Sequence, residues 1–400
     1  MPRSVTLACA AACLSTACGP SSGSDGSAVR DSGGVSVVEN ARPAWKRGEG
    51  WRLSDAPVLS LGVAEGRPEQ EFDRVRDVLR LADGRLVVAN DGSGELRYFS
   101  ADGRFLGAAG RPGDGPGEFR SIARLWRAGG DTVVAYDPLG NRLTSFAGNG
   151  TLAGSAALGP VPGGGPQPPE VVGRFTDGSF LVRALVPLPL DAVTGSRRDS
   201  AAYFRVRPGD GAATPLERFP GDESFVVREG SGVGAYQPVF GRRTHVAVGG
   251  DRFYVGTGDA YRIDVHSAAG RLLRSIRVRQ PGAPVTRAHV DRYRHDYLEA
   301  VGPEDRPRME RILGQLPVPA TFPAHGRMLV DAEGNLWVAG YPRSGEDRQA
   351  WDVFDARGRW LGAVAVPPRF RISAVGGGIV LGVHRDEQDV EKVLVFRLVR

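Results

Sequence analysis

Six histidines are the first candidates for chemistry in this 400-residue chain, because imidazole transfers protons and binds metals near neutral pH. His245 and His325 occupy similar places in a repeated sequence pattern that is described below. A catalytic zinc ion takes three protein ligands, and the matching places in the other repeats are largely arginine or apolar. The sequence therefore predicts no metal site, no cofactor and no defined catalytic set, but it keeps His245 and His325 as candidate ligand-binding residues.

Arginine is the second group of interest, because 49 of the 51 basic residues are arginine. Arg76, Arg120 and Arg243 lie near the starts of repeated units, where they could line one mouth and bind an anionic ligand. The guanidinium fork suits carboxylate or phosphate. The alternative is that these arginines are solvated or pair between units, in a composition typical of GC-rich codon usage. The 46 acidic residues are interspersed and no dense basic run occurs, so the sequence excludes nucleic acid as a partner.

All three cysteines, Cys9, Cys13 and Cys18, lie at the amino terminus. Arg3 precedes a short uncharged run that is too short to span a bilayer, which predicts a signal peptide over residues 1–17. The segment Leu14–Cys18 resembles a bacterial lipobox, with serine where leucine is usual three residues before the cysteine. The resemblance implies export to the cell envelope and a lipid anchor on Cys18 at a membrane surface. The mature chain would then have neither a disulfide nor a thiol nucleophile.

The segment that follows is rich in glycine and serine. Residues 19–34 have the composition of a flexible tether, and the folded part is expected to begin near Val35–Val38 or near Trp51. The predicted organisation is thus a signal peptide over 1–17, a tether and lead-in over 18–50, and a folded domain over 51–400.

A turn followed by a short apolar run recurs along that domain. The first three turns begin 47 residues apart, at positions 83, 130 and 177, and the last two begin 44 apart, at 333 and 377. A strand, a glycine-containing turn and another strand follow each of the first five copies, and Asp102-Gly103 and Asn149-Gly150 are typical hairpin turns. The six copies begin at Asp83-Gly84, Gly130-Asp131, Asp177-Gly178, Gly250-Asp251, Glu333-Gly334 and Gly377-Gly378.

Four strands in about 45 residues, repeated six times, are typical of a β-propeller. The sequence therefore predicts an all-β fold with six four-stranded antiparallel blades. The last unit lacks its outer strand, and Pro57–Leu61 from the amino-terminal side is predicted to supply it. Such a closure ties the two chain ends together and removes open sheet edges.

The segment Gly110–Phe119 is a glycine-rich turn that leads into the first strand of a unit, and residues 99–106 carry a Phe-Ser-Ala-Asp-Gly-Arg-Phe-Leu hairpin. With these motifs the chain resembles six-bladed NHL-like propellers, particularly exported bacterial lipoproteins of that group. The resemblance covers roughly Trp51–Arg400. It implies the fold but no activity, since propellers serve as binding modules, lyases and lactonases alike.

Three insertions interrupt the repeat. Residues 184–200 and 212–234 are predicted to be polar loops, and 284–316 a small helical hairpin with a helical spacing of apolar residues. This hairpin either covers apolar surface or acts as a lid over the central channel. The apolar positions that indicate its two helices are Val290, Tyr293, Tyr297 and Val301, then Met309, Ile312, Leu313 and Leu316.

Taken together, these features favour a non-enzymatic binding or scaffold module, anchored to the envelope, that engages a protein or a small ligand on a propeller face. The alternative is a propeller lyase or hydrolase with a metal site at the channel mouth, formed with His245 and His325.

Overall fold

The computed structural model describes residues 21, 22, 26–165, 167–185, 187–189, 191–230, 232–343 and 348–400. The predicted signal peptide over residues 1–17 and the predicted lipidation site Cys18 lie outside these residues. Neither of the two described α-helices has the length and apolar character that crossing a bilayer requires.

The described chain is almost entirely β-structure, with two α-helices, α1 Arg287–Glu299 and α2 Arg306–Gln315, and a 3₁₀ turn at Gly129–Asp131. The strands, in chain order, are β1 Ser21–Ser22, β2 Ser27–Ser32, β3 Val35–Asn40, β4 Arg52–Leu53, β5 Leu59–Leu61, β6 Val75–Arg80, β7 Leu86–Asn90, β8 Glu95–Phe99, β9 Phe105–Ala109, β10 Arg124–Ala128, β11 Thr132–Asp137, β12 Arg142–Phe146, β13 Leu152–Ala157, β14 Glu170–Arg174, β15 Phe180–Arg183, β16 Gly195–Arg197, β17 Ser200–Val206, β18 Ala213–Pro220, β19 Ser224–Glu229, β20 Gly232–Tyr236, β21 His245–Gly249, β22 Arg252–Gly256, β23 Arg262–Ser267, β24 Leu272–Val278, β25 Met328–Val330, β26 Leu336–Ala339, β27 Gln349–Phe354, β28 Trp360–Val366, β29 Phe370–Gly376, β30 Ile379–Arg385 and β31 Glu391–Val399.

Most strands belong to four-stranded antiparallel sheets built from consecutive hairpins: β6 to β9, β10 to β13, β14-β15-β17-β18 and β25 to β28. The repeated apolar runs form the second strands of the sheets, for example β7 and β26, whose residues are all buried. Gly84 and Gly103 hold their turns with φ of 93° and 90°, in the left-handed region that glycine adopts without strain. The first strands of successive sheets pack together, as in the pairs β6 with β10 and β21 with β25. This arrangement is a β-propeller.

The last sheet joins the two ends of the domain. Its third strand β31 pairs antiparallel with β5, which takes the outer position. Val393 lies opposite Leu61 and Val395 opposite Leu59. Strand β4 also pairs with β31, at Leu53 and Leu398. The predicted contribution of Pro57–Leu61 to this sheet is therefore confirmed in its pairing, and the first strand β29 packs against β6 at the junction.

The prediction of a tether over residues 19–34 is wrong for residues 27–34. Strands β2 and β3 form an antiparallel hairpin, and β3 extends the sheet of β21 to β24 by pairing in parallel with β24. The turn is closed by the Gly34 N–H, which donates to Asp31. Val37 and Val38 are buried, at 4% and 1% exposure. The small polar residues that resemble a tether are thus the exposed side of an edge hairpin whose apolar residues have a sheet to pack on.

The prediction of a polar loop over residues 212–234 is also wrong. Strand β18 completes the sheet of β14, β15 and β17, and β19 pairs with β16 and β20 in a separate three-stranded sheet. The helical hairpin expected over 284–316 is present as α1 and α2. Its buried Met309, Ile312 and Leu313 pack with Val227 of β19, so the helices and the small sheet share one apolar core.

Candidate functional site: an arginine-lined cavity

A cavity of about 750 Å³ opens where β21, β25 and β29 begin, beside the loops that precede these strands. Propeller geometry brings the starts of first strands together around one mouth, so residues far apart in sequence become neighbours there. Six arginines and one histidine line the cavity, and none of its described lining residues is acidic. These seven residues are Arg243, His245, Arg327, Arg343, Arg348, Arg369 and Arg371.

An aromatic ring holds Arg327 in place within the cavity. Its guanidinium carbon lies 5.0 Å from the ring centroid of Trp351, which is fully buried. Burial, followed by repulsion from Arg371 and Arg124, lowers the pKa of Arg327 to about 10. The group remains charged at neutral pH, so the lowered pKa measures how poorly its surroundings compensate the charge.

Arg371 faces the same space from β29. Its Nη2 donates to the carbonyl oxygen of Val75 at 2.8 Å. Burial lowers the pKa of Arg371, and Asp77 opposes that shift while Arg124 adds to it. The oxygens of Asp77 accept the backbone N–H groups of Val78 and Leu125. Within the described part of the chain, no carboxylate forms an ion pair with Arg327 or Arg371.

His245 begins β21 and lines the cavity between these arginines. Burial, followed by the nearby ring of His325, lowers the pKa of His245 to about 4. The imidazole is therefore uncharged at neutral pH and can accept or donate one hydrogen bond. Arg243, two residues earlier, is exposed and donates to the side-chain oxygen of Gln237.

His325 lies behind His245 rather than on the cavity wall. The two ring centroids are 5.9 Å apart. The His325 ring is 1% exposed, its Nδ1 bonds the carbonyl oxygen of Gly326 at 2.9 Å, and its Nε2 has no hydrogen-bond partner. A Cβ at Gly256 would lie 2.5 Å from that Nε2, so the ring packs directly on the backbone of β22. This placement keeps Nε2 away from the cavity.

No group of three or more histidine, cysteine or carboxylate side chains in metal-binding proximity occurs among the described residues. His245 and His325 thus meet each other but not a third ligand of these types.

A second cavity of about 470 Å³ adjoins the first, and Arg369 and Arg371 line both. Its other charged lining residues are partly compensated. Asp91 lies 3.5 Å from Arg74 and 3.1 Å from Arg76. The remaining ion pair in its lining joins Arg385 and Glu391 at 2.7 Å.

The sequence-predicted residues divide among four places. Arg243 and His245 line the first cavity, Arg76 lines the second, and His325 supports the first from behind. Arg120 lines neither cavity. Its side chain pairs with Asp114, and its backbone N–H donates to Asp137 at 3.0 Å, so it belongs to a local loop contact.

Sequence reasoning missed the arginines that matter most to this geometry, Arg327 and Arg371. A signal was present, because Arg327 follows His325 by two residues and Arg371 follows Arg369 by two. Arg327 directly precedes β25 and Arg371 is the second residue of β29, so each lies within one residue of the start of a first strand, where His245 begins β21. Arginine is so abundant in the chain that residue type alone does not single out Arg327 and Arg371, and only their position does.

The helical insertion stands behind one wall of the first cavity. Tyr341 lines the cavity and packs against Phe322 and Phe240, with ring centroids 5.7 Å and 6.3 Å away. Phe240 in turn contacts Tyr293 of α1 at 5.3 Å. The hairpin therefore fixes the position of an aromatic cavity wall, and it also buries apolar surface of its own.

Three solved structures are similar to this chain at low sequence identity. A member of the DUF4221 family from Bacteroides vulgatus matches with a TM-score of 0.54 and 10% identity, covering 88% of this chain and 99% of that chain. Virginiamycin B lyase from Staphylococcus aureus matches with a TM-score of 0.43 and 10% identity, covering 88% and 100%. A gluconolactonase from Xanthomonas campestris matches with a TM-score of 0.41 and 13% identity, covering 82% and 88%.

The first of these likenesses supports the propeller fold. The other two are too distant to bear on activity. No protein-family model and no curated protein sequence matches the chain.

Proposed function

We propose that this chain is a ligand-binding propeller of the bacterial cell envelope, and that the arginine-lined cavity takes an anionic small molecule. The observation that carries this proposal is the pair Arg327 and Arg371, two largely buried guanidinium groups without a carboxylate partner among the described residues. Burying an uncompensated charge costs several kcal/mol. A folded protein tolerates an uncompensated buried charge most readily where a bound ligand supplies the countercharge.

The size and the lining of the cavity agree with a small-molecule ligand. Its volume of about 750 Å³ lies within the range of about 300–1,000 Å³ that is usual for ligand sites. Four prolines and Phe370 also line it, which provides an apolar surface for a ring or a hydrocarbon part. The guanidinium groups would bind carboxylate or phosphate oxygens with charge-assisted hydrogen bonds. The uncharged His245 would add one hydrogen bond to the same group.

We also propose that the sheets close into six blades of an NHL-like ring. In support, each of the six repeated apolar runs is a second strand, and the first strands β29 and β6 meet where the chain ends join. Export and lipidation of Cys18 rest on the amino-terminal sequence alone.

Thermal unfolding of the mature chain with a panel of anions tests the binding proposal. A ligand at one hundred times its Kd stabilises the folded state by about 2.7 kcal/mol. Phosphate, citrate and sulfate at matched ionic strength should raise Tm more in the wild type than in Arg327→Met. Equal rises in both proteins would show a general salt effect and contradict the proposal.

A metal-dependent lyase or hydrolase is the second candidate, because His245 reaches the cavity as a neutral imidazole, the form that binds metals. Native mass spectrometry of the purified protein addresses it. Stoichiometric metal that is lost in His245→Ala would support this candidate. Metal bound equally well by His245→Ala would remove it.

A further inference from the structure

The two arginine-lined cavities are not independent, because Arg369 and Arg371 belong to the walls of both. Both guanidinium groups donate to backbone carbonyl oxygens: Arg369 Nη1 to Asp386 at 3.0 Å and Arg371 Nη2 to Val75 at 2.8 Å. A guanidinium has five N–H donors in one plane, so each keeps donors for an anion on either side. No carboxylate among the described residues pairs with either guanidinium, so the shared wall carries positive charge without a described countercharge.

The remaining cations of the second cavity have partners of their own. Arg74 and Arg76 share Asp91, and Arg385 pairs with Glu391. Glu391 also accepts the backbone N–H of Val75 at 2.6 Å, which fixes its carboxylate. The second cavity is thus moderately positive, whereas the first is strongly so. One anionic group beside Arg327 would leave the second cavity's excess charge uncompensated.

The backbone conformation beside the second cavity supports the view that this cavity is a ligand-binding site. Arg74 and Arg369 each directly precede a first strand, β6 and β29, and both have left-handed backbone angles, with φ of 52° and 54°. This conformation costs a non-glycine residue about 1–2 kcal/mol. In both cases the residue held there lines the second cavity. Strain of this kind is concentrated at ligand sites, where the surrounding structure enforces it.

We propose that the two cavities are adjoining subsites of one site, and that its ligand is a small molecule with two anionic groups, one for each cavity. This inference rests on the proposed function, since it assigns the class of anion that the cavity binds. Carboxylate and phosphate share the required chemistry, so both kinds of dianion are candidates. Arg369 and Arg371 would bind the ligand between its two charged ends.

The experiment compares single and linked anions by calorimetry on the mature protein at fixed ionic strength. The phosphate arm uses phosphate, pyrophosphate and tripolyphosphate, and the carboxylate arm uses acetate and a series of linear dicarboxylates. We expect at least one linked anion to bind ten or more times more tightly than the single anion of its arm. The arm that shows the larger gain identifies the ligand's charged group.

Two matched variants show which cavity is responsible for the tighter binding of linked anions. Arg76→Gln alters only the second cavity and should reduce the ratio of linked-anion to single-anion affinity to less than a third of its wild-type value. Arg348→Gln alters only the first cavity and should weaken both anions while the ratio stays within twofold. Arg357→Gln, in the β27–β28 turn and outside both linings, controls for the change in net charge.

The outcomes distinguish failure of the two-subsite inference from failure of the proposed function. Single-anion binding without a gain for any linked anion, or a gain that Arg357→Gln reduces as much as Arg76→Gln, overturns the two-subsite inference and leaves the proposed function standing. No saturable binding of any anion overturns the proposed function itself.

Discussion

Arg327 lies over the indole of Trp351, with 5.0 Å between the guanidinium carbon and the ring centroid. The indole is fully buried in the core of the β25 to β28 sheet, so the ring fixes the arginine at the inner end of the cavity. A cation–π contact of this kind contributes about 1–2 kcal/mol. It compensates only part of the cost of burying the charge, and the rest is left for an anion.

Replacing Arg327 with methionine should therefore separate stability from binding. Methionine can cover Trp351 without a buried charge, so we expect the free energy of unfolding to stay unchanged or to rise by about 1 kcal/mol. Anion binding should fall at least tenfold. Urea unfolding and calorimetry measure the two effects. A loss of about 3 kcal/mol in stability would show that the arginine serves the fold, in contrast to this account.

The left-handed backbone at Arg369 predicts an inverted order of stability among its variants. Glycine adopts this conformation without strain, so Arg369→Gly should be more stable than Arg369→Ala by about 1 kcal/mol. Both variants should bind anions more weakly, because the guanidinium is lost. Urea unfolding of both proteins measures the difference.

The matched control is Arg357, an exposed turn residue that is not among those with positive φ. There the alanine variant should be the more stable one. If alanine is also preferred at position 369, the backbone is not held in the strained form in solution.

His245 should make stability depend on pH in a definite window. Its pKa is lowered from 6.5 to about 4 in the folded state. The unfolded chain therefore binds a proton that the folded chain does not, between these two values. Stability contributed by the neutral imidazole is present above pH 6.5 and is lost as the pH falls towards 4, by up to about 3 kcal/mol.

Carboxylates titrate near the lower end of this window, so the informative quantity is the difference between wild type and His245→Gln. The variant should lose less stability between pH 6.5 and pH 4.5. His295→Gln, at an exposed position on α1, should follow the wild type. Parallel curves for all three proteins would mean that His245 titrates normally. Bound phosphate should raise the pKa of His245, and the difference in pH dependence between wild type and His245→Gln should then become smaller.

Much of the scaffold could be predicted from the sequence because the relevant signals are local. Asp83-Gly84 and Asp102-Gly103 specify their turns, and the apolar run that follows Asp83-Gly84 specifies the buried strand β7. The closing pair of β5 with β31 was predictable because one unit lacked a strand and one unassigned apolar segment remained.

The parts that could not be predicted depend on long-range contacts. The segment over residues 27–34 has the composition of a tether, and it forms a strand by pairing with β3, which itself pairs with β24. Arg327 and Arg371 are two arginines among 49 in the sequence. Only the folded ring shows that they share a cavity and that no described carboxylate pairs with them.

Asn40 provides a test of the corrected amino-terminal region. Its side chain is 1% exposed, and Nδ2 donates to the carbonyl oxygens of Arg277 and Gly358 at 3.2 Å and 3.1 Å. Its Oδ1 accepts the backbone N–H of Trp360 at 2.9 Å. Asn40 thus connects the added hairpin to two sheets.

Asn40→Ala leaves these buried groups unpaired and should lower the free energy of unfolding by about 2–4 kcal/mol. Ser36→Ala on the same strand should cost less than about 1 kcal/mol. Urea unfolding compares the two variants. Similar small losses in both would indicate that the hairpin is detached from the propeller in solution.

The most direct test of the central claim is a calorimetric titration of phosphate into the purified wild-type protein and into Arg327→Met. We expect saturable binding in the wild type, with at least tenfold weaker binding in the variant. Absence of saturable binding in the wild type, or equal affinity in the two proteins, would contradict the assignment of the arginine-lined cavity as an anion site.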